Sequence, residues 1–262
     1  MNKPIITIIT VSYNAKSIIE ETILSVINQT YPNIEYIVID GGSTDGTIDI
    51  IKKYENKITQ WISEPDKGIY DAMNKGINLA TGEWINFMNC GDSFCNENTL
   101  ELFINKIEDN NKYDIVYGNT IINCTIGKYK VLPEKLENLS IHMPFCHQST
   151  FVQTKLAQKR PFDLQYKYVA DYNFFYHAYQ NRNTFKYIDL TIANYQIDEG
   201  YSASNMNKCI IEAHKINNKK LSTFNKLAFK FRAFLINNLP KKIVYAIRSV
   251  NYKNNERYIN LH

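Results

Sequence analysis

At 262 residues, with 44% hydrophobic content, 19 Tyr and 13 Phe, the chain suits one large domain with an appendage or two small domains, and has ample material for a core. The net charge of +4 is unevenly spread: residues 215–262 carry eleven Lys and Arg against the single acid Glu256, leaving residues 1–214 with 19 basic and 25 acidic side chains. No uninterrupted apolar run approaches the roughly 18–20 residues of a bilayer span, which excludes a helical span of that kind, and the five cysteines form neither a CxxC pair nor a metal-spaced cluster.

An odd cysteine count without a secretory leader fits a reducing cytoplasm, and MNKPIITIITVSYN reads as a first strand rather than a leader. Ile5–Val11 is a near-continuous β-branched run, the composition of a central parallel strand. A helix is expected over Ser17–Gln29, with Ser17 as N-cap and Glu20 completing a capping box, until Pro32 prevents continuation. The second strand, Ile34–Ile39, ends in Asp40-Gly41-Gly42-Ser43, and a helix over Thr47–Tyr54 comes next, capped by Thr44 or Asp45. Ile58–Ile62 is a short third strand.

The stretch Glu64–Asp92 organises the rest. It reads as a polar loop, then a helix whose Ala72, Met73, Ile77, Leu79 and Ala80 oppose Asp71, Asn74, Lys75 and Asn78. Thr81-Gly82 closes that helix, the glycine supplying the left-handed conformation common past a helix end. Trp84–Met88 is a covered strand, and Asn89-Cys90-Gly91-Asp92 delivers a carboxylate at its carboxyl end, where open α/β sheets bind ligands.

This βαβαβαβ alternation predicts an α/β fold, a doubly wound, mostly parallel sheet with flanking helices. Polar sets at three strand ends, Thr10/Ser12/Tyr13, Asp40/Gly42/Ser43 and Asp92, are then neighbours on one rim. Beyond Asp92 the pattern loosens: a helix over Asn98–Asn105, strands at Asp114–Asn119, Thr120–Asn123 and Lys128–Leu132, a loop from Met143 into a strand at Val152, a helix from Ala170 to about Asn181, and a strand pair or one bent strand over Phe185–Tyr195.

The motifs ITVSYNA at 9–15, IVIDGGSTDGT at 37–47, DKGIYDAMNKGINLATGEWINFMNCGD at 66–92, His147-Gln148 and Ala170-Asp171-Tyr172 together resemble the family 2 glycosyltransferases, inverting enzymes of the GT-A fold. The resemblance spans roughly residues 5–200. It implies a nucleotide-sugar donor, usually UDP-linked, a divalent metal (Mn²⁺ or Mg²⁺), and a saccharide or lipid-linked saccharide acceptor. Residues 1–92 are then the nucleotide-binding half and 93–214 the acceptor half, with 215–262 a basic tail.

Tyr13 offers an aromatic face for a pyrimidine and Asp40 an acceptor for its ring N–H, with Thr10, Val11, Gly42 and Ser43 beside them; the alternative is a packed Tyr13 and an Asp40 that caps a helix. Asp66, Lys67, Asp71 and Asn74 precede or open a helix, where phosphate is favoured. The family's acidic motif carries two or three aspartates; here it is Asn89-Cys90-Gly91-Asp92, so Asp92 is the charged metal ligand and Asn89 a possible carbonyl donor, unless Asp92 only caps the helix beyond it. By resemblance Asp171 is the catalytic base, or else a helix-start carboxylate. His147 and Gln148 are acceptor-side candidates, with a structural histidine equally open. Glu199–Ser202 resembles the loop that comes after the base.

From Leu221 to Arg257, Lys and Arg interleave with Phe, Leu and Ile. Such a basic stretch reads first as nucleic-acid binding; the apolar interleaving instead fits two amphipathic helices on an anionic membrane surface, with no nucleic acid partner, or a helical lid on the main domain. The whole reading is a cytoplasmic transferase, peripheral on the inner face of the cell membrane. A sugar nucleotidyltransferase would want a Gly-rich loop after the first strand, which SYNAKSI lacks; a non-catalytic nucleotide-sugar-binding protein stays open because the acidic motif is depleted.

Overall fold

A computed structural model describes residues 3–107, 112–124, 127–196, 205–217 and 255–261. Its centre is β1 (Ile6–Ser12), every residue of which is buried, as the β-branched run requires. Parallel to it lie β2 (Ile34–Asp40) on one side and β4 (Trp84–Phe87) on the other, with β3 (Gln60–Ser63) outside β2. Helices α1 (Ile19–Ile27), α2 (Thr47–Lys53) and α3 (Ile69–Leu79) make the connections.

Past β4 the sheet changes sense. β8 (Thr150–Gln153) runs antiparallel to β4, and β6 (Ile115–Cys124), β7 (Gly127–Val131) and β10 (Tyr258–Leu261) continue the antiparallel order. The path is therefore β10-β7-β6-β8-β4-β1-β2-β3, within a sheet of ten strands. Both expected halves share this one sheet. The remaining strands are β5 (Ser93–Phe94) and β9 (Phe185–Gln196), which pair with each other, β9 also running parallel to β6. Helices α4 (Thr99–Lys106), α5 (Thr154–Lys159), α6 (Ala170–Gln180) and α7 (Met206–Ile216) complete the described elements.

Alternation along β1 feeds two cores. Ile9 and Val11 join Met73 and Ile77 of α3 and Phe174 and Phe175 of α6 on one face. Ile6 and Ile8 join Ile19 and Ile23 of α1, Trp84 and Phe103 on the other. A sheet covered on both faces favours β-branched and apolar residues throughout, and the polar positions in β1, Thr7, Thr10 and Ser12, are buried too.

Several local expectations change. The expected capping box is absent: α1 begins at Ile19 without a side-chain cap, and Glu20 instead accepts from Lys53 Nζ and Tyr54 Oη, docking α1 to α2. Asp45, one of the two proposed caps of α2, accepts from the Thr47 amide at 3.0 Å. Gly82 is not a left-handed helix stop. A Cβ there would lie 2.6 Å from Thr7 Oγ1 and 2.7 Å from the Ile5 carbonyl, so glycine is needed for close approach to β1. The two strands expected within 114–123 are the single strand β6, and the bent-strand option for 185–195 is the one adopted, with register shifts between Tyr117 and Thr120.

The amphipathic helices expected from Leu221 onward fall almost wholly outside the described residues, as does Glu199–Ser202. Where the chain is described again, the expected helical tail gives way to β10, which pairs with β7, and Arg257 forms an ion pair with Glu134. Among the described residues, no helix is long and apolar enough to cross a membrane.

Candidate active site

The carboxyl ends of β1, β2 and β3 share one rim, fixed by the register Ser12 to Asp40 and Asp40 to Ser63, and β4, parallel to β1, ends on the same side. Asp40 is fully buried there. Its Oδ1 accepts from Ser12 Oγ and Ser43 Oγ, and its Oδ2 from Ser63 Oγ and the Gly42 and Ser43 amides. Burial works against ionisation, yet the Ser43 hydroxyl and amide and the Ser63 and Ser12 hydroxyls together hold the carboxyl below the usual range. Asp40 thus ties three strand ends and the loop after β2 into one unit, both of its oxygens engaged.

Tyr13, 67% exposed, stands beside this unit. A Cβ on Gly41 would meet Asp66 Oδ2 at 2.5 Å and the Tyr13 ring at 3.3 Å, so the ring and the Asp66 carboxylate flank the same bare stretch of backbone. Thr10 is buried and donates to the Met88 carbonyl, while the Val11 carbonyl accepts from the Cys90 amide; these two shape the floor under the rim. Asp71 accepts from the Lys67 amide, and Lys67 is exposed. Asn74 is spent elsewhere: its amide exchanges two 2.8 Å hydrogen bonds with the Phe162 backbone, pinning α3 to the loop before α6.

Asp92 is buried and accepts from Gln148 Nε2 at 3.0 Å. Burial pushes its carboxyl up to about 7, against the opposing pull of Gln148 and His147. Asp171, in the first turn of α6, is held differently: His147 Nδ1 lies 3.0 Å from Oδ2 and Tyr70 Oη donates to Oδ1 at 2.9 Å. Burial alone would raise it, but the hydrogen bonds from His147 and the Tyr70 hydroxyl keep it below the usual range. Asp171 is also drawn down by the Tyr172 amide in the first turn of α6, and Glu212 of α7 accepts from the Lys167, Tyr168 and Val169 amides just ahead of that helix.

Adjacent residues His147 and Gln148 therefore hold the two carboxylates. They line a cavity of about 170 Å³ with Tyr70, Met73, Phe145 and Asp171. The thiols between the acids register their convergence. Cys146 is pushed up to about 12 by burial first, then by the Asp92 charge, with Asp171 adding to it. Cys90 is raised by burial, then by Asp92 and Asp40. Asp92 and Asp171 are thus joined through the adjacent residues Gln148 and His147, while Asp40 anchors the strand ends of β1, β2 and β3.

Tyr70 escaped the sequence reading although it shares the i, i+3 stripe with Met73 and Ile77, and that spacing is the signal that marks it. Met143, Phe145 and Tyr195 also line the cavity, and nothing local marks them. For a divalent cation, no cluster of three or more His, Cys, Asp or Glu side chains exists among the described residues. Asn89 Oδ1, however, is buried without a hydrogen-bond partner, three residues before the buried Asp92 carboxylate. One carboxylate and one amide oxygen fit a cation that completes its shell with phosphate oxygens and water.

Residues 7–181 match the family model described as Glycosyl transferase family 2. The chain belongs to that family. Among curated relatives, a PGL/p-HBAD biosynthesis glycosyltransferase of Mycobacterium bovis is 28% identical over 252 residues, covering 94% of this chain and 95% of its own length. The putative teichuronic acid biosynthesis glycosyltransferase TuaG of Bacillus subtilis is 31% identical over 169 residues, 54% of this chain and 67% of that one. Among solved structures, S. aureus TarS 1–349 in complex with UDP-GlcNAc superposes with TM-score 0.66 at 21% identity, over 85% of this chain and 69% of that chain. The mannosyltransferase PcManGT from Pyrobaculum calidifontis, in complex with GDP-Man and Mn²⁺, gives 0.60 at 15% identity, over 95% and 85%. The fold is GT-A, and this family 2 protein is a glycosyltransferase enzyme.

Proposed function

We propose that this family 2 enzyme transfers a hexose, with inversion, from a UDP-sugar to a saccharide or lipid-linked saccharide in surface polysaccharide or glycolipid assembly. One observation carries the proposal: Asp171 opens onto a cavity whose other polar wall, His147-Gln148, leads directly to Asp92. The solved neighbours bound to UDP-GlcNAc and GDP-Man and the relatives in cell-surface glycan synthesis support the donor and acceptor classes.

The base stacks on Tyr13, with Asp66 the open acceptor beside it, and Asp40 acts through the loop of Gly42 and Ser43 that it holds. Lys67 and the start of α3 face the diphosphate. Asp92 and Asn89 would hold Mn²⁺ or Mg²⁺, which would supply positive charge against the diphosphate. In the cavity, Asp171 takes the proton of an acceptor hydroxyl. That oxygen bonds to the anomeric carbon from the face opposite the nucleotide, and the bond from the anomeric carbon to phosphate oxygen breaks, its electron pair leaving with UDP. Low basicity suits Asp171 to stay ionised before the reaction.

Asp171→Asn should lower transfer roughly a thousandfold while UDP affinity stays within about threefold, a change of under ~1 kcal/mol. Initial rates with a range of acceptors, beside calorimetry with UDP, test this, and undiminished turnover would remove Asp171 from the mechanism. The basic segment between α7 and β10 supports placement on the inner face of the cell membrane.

A further inference from the structure

His147 is bonded on both ring nitrogens, and the two partners differ in chemistry. Asp171 Oδ2 is an acceptor, so the Nδ1 nitrogen 3.0 Å away carries the proton and donates it. The group 3.2 Å from Nε2 is the Asn89 amide nitrogen, a donor, so Nε2 accepts from it. That bond fixes the Asn89 amide with its nitrogen toward His147 and leaves Oδ1 buried and without a partner. One ring thus sets two things on opposite sides: the orientation of the proton-accepting carboxylate and the orientation of the lone amide oxygen near Asp92.

We infer that His147 is a shared positioning residue, holding Asp171 for the acceptor through Nδ1 and presenting the Asn89 carbonyl oxygen to a divalent cation through Nε2. The inference rests on the proposed roles of Asp171, Asn89 and Asp92. Outer ligands of this kind orient the groups that touch a metal and are felt as metal affinity. The side chain is four-fifths buried, and Asn89 itself is 7% exposed, so water does not readily replace either bond.

Two amides separate the functions. In His147→Asn, the amide nitrogen can occupy the place of Nδ1 and donate to Asp171, but the side chain is too short to reach Asn89. In His147→Gln, the amide oxygen can occupy the place of Nε2 and accept from Asn89, while the donor to Asp171 is lost. With UDP present, Mn²⁺ affinity measured by electron paramagnetic resonance of the free ion should fall about tenfold or more in His147→Asn and stay within about threefold in His147→Gln. Single-turnover rates at saturating Mn²⁺ should show the reverse, near normal in His147→Asn and down at least about tenfold in His147→Gln.

UDP binding and the thermal midpoint report folding, and His147→Ala, lacking both groups, should lose in both assays. Equal losses in the two amide variants, or Mn²⁺ affinity unaffected by His147→Asn, would overturn the inference. If Asp171→Asn leaves turnover intact, it is instead the assignment of the base that fails, whatever the Mn²⁺ data show.

Discussion

Asp40 shows what a single buried carboxylate does for this rim. It satisfies five donors from four residues, and no neutral side chain can accept from all of them. Asp40→Asn would place an amide N–H₂ against hydroxyl and amide donors, a cost of about 2 kcal/mol for the unsatisfied groups. The folded-state carboxyl sits below its unfolded value, so its stabilisation is complete above the unfolded pKa of roughly 4 and is lost as pH falls through the folded one. The gap between Asp40→Asn and the parent protein in urea unfolding should therefore be full at pH 7 and narrow progressively below about pH 4; a constant gap would mean the carboxylate charge is irrelevant. The sequence alone shows Asp40 at a strand end before two glycines, which marks a ligand rim. It does not show that Ser12 and Ser63, 28 and 23 residues away, consume the oxygens. Chemistry at that distance depends on strand register, which no local spacing reveals.

At the scale of elements, α6 delivers Asp171 and α7 decides how firmly. Glu212 of α7 accepts from three consecutive amides, Lys167 to Val169, in the segment that leads into α6. Glu212→Ala should cost about 1–2 kcal/mol and lower the transfer rate with little change in UDP affinity, because the clamp lies on the acceptor side. Thermal unfolding beside kcat and UDP calorimetry checks it, and unchanged kcat would show that α6 holds Asp171 unaided. The parallel strands and α1 to α3 are legible because continuous β-branched runs and 3.6-residue stripes are local signals. The antiparallel half is harder to place. β6 and β9 are legible as strands but not as partners, because the register between them is shifted at Tyr117 to Thr120, and α5, six residues long, has too little pattern to read. The His147-Gln148 pair is legible as a motif, but its double grip on Asp92 and Asp171 belongs to the packing of a short turn between β4 and α6.

At the scale of the molecule, the acidic body and the basic segment from 218 to 254 are separate in charge, nine Lys and Arg standing there with no acid. If that segment meets an anionic leaflet at about 1 kcal/mol per basic residue near the surface, changing Lys226, Lys230, Arg232, Lys241, Lys242 and Arg248 to Gln should release the protein from phosphatidylserine vesicles while leaving it on neutral ones unchanged. Co-sedimentation that survives all six changes would leave the membrane reading without support. Substitution is the right instrument and deletion the wrong one. Because β10 closes the flank of β7, a chain cut before residue 218 would present a bare ladder of amides and carbonyls, free to zip onto another copy. Such a truncated protein would pellet by self-association, and a spin assay would score the pellet as lipid binding.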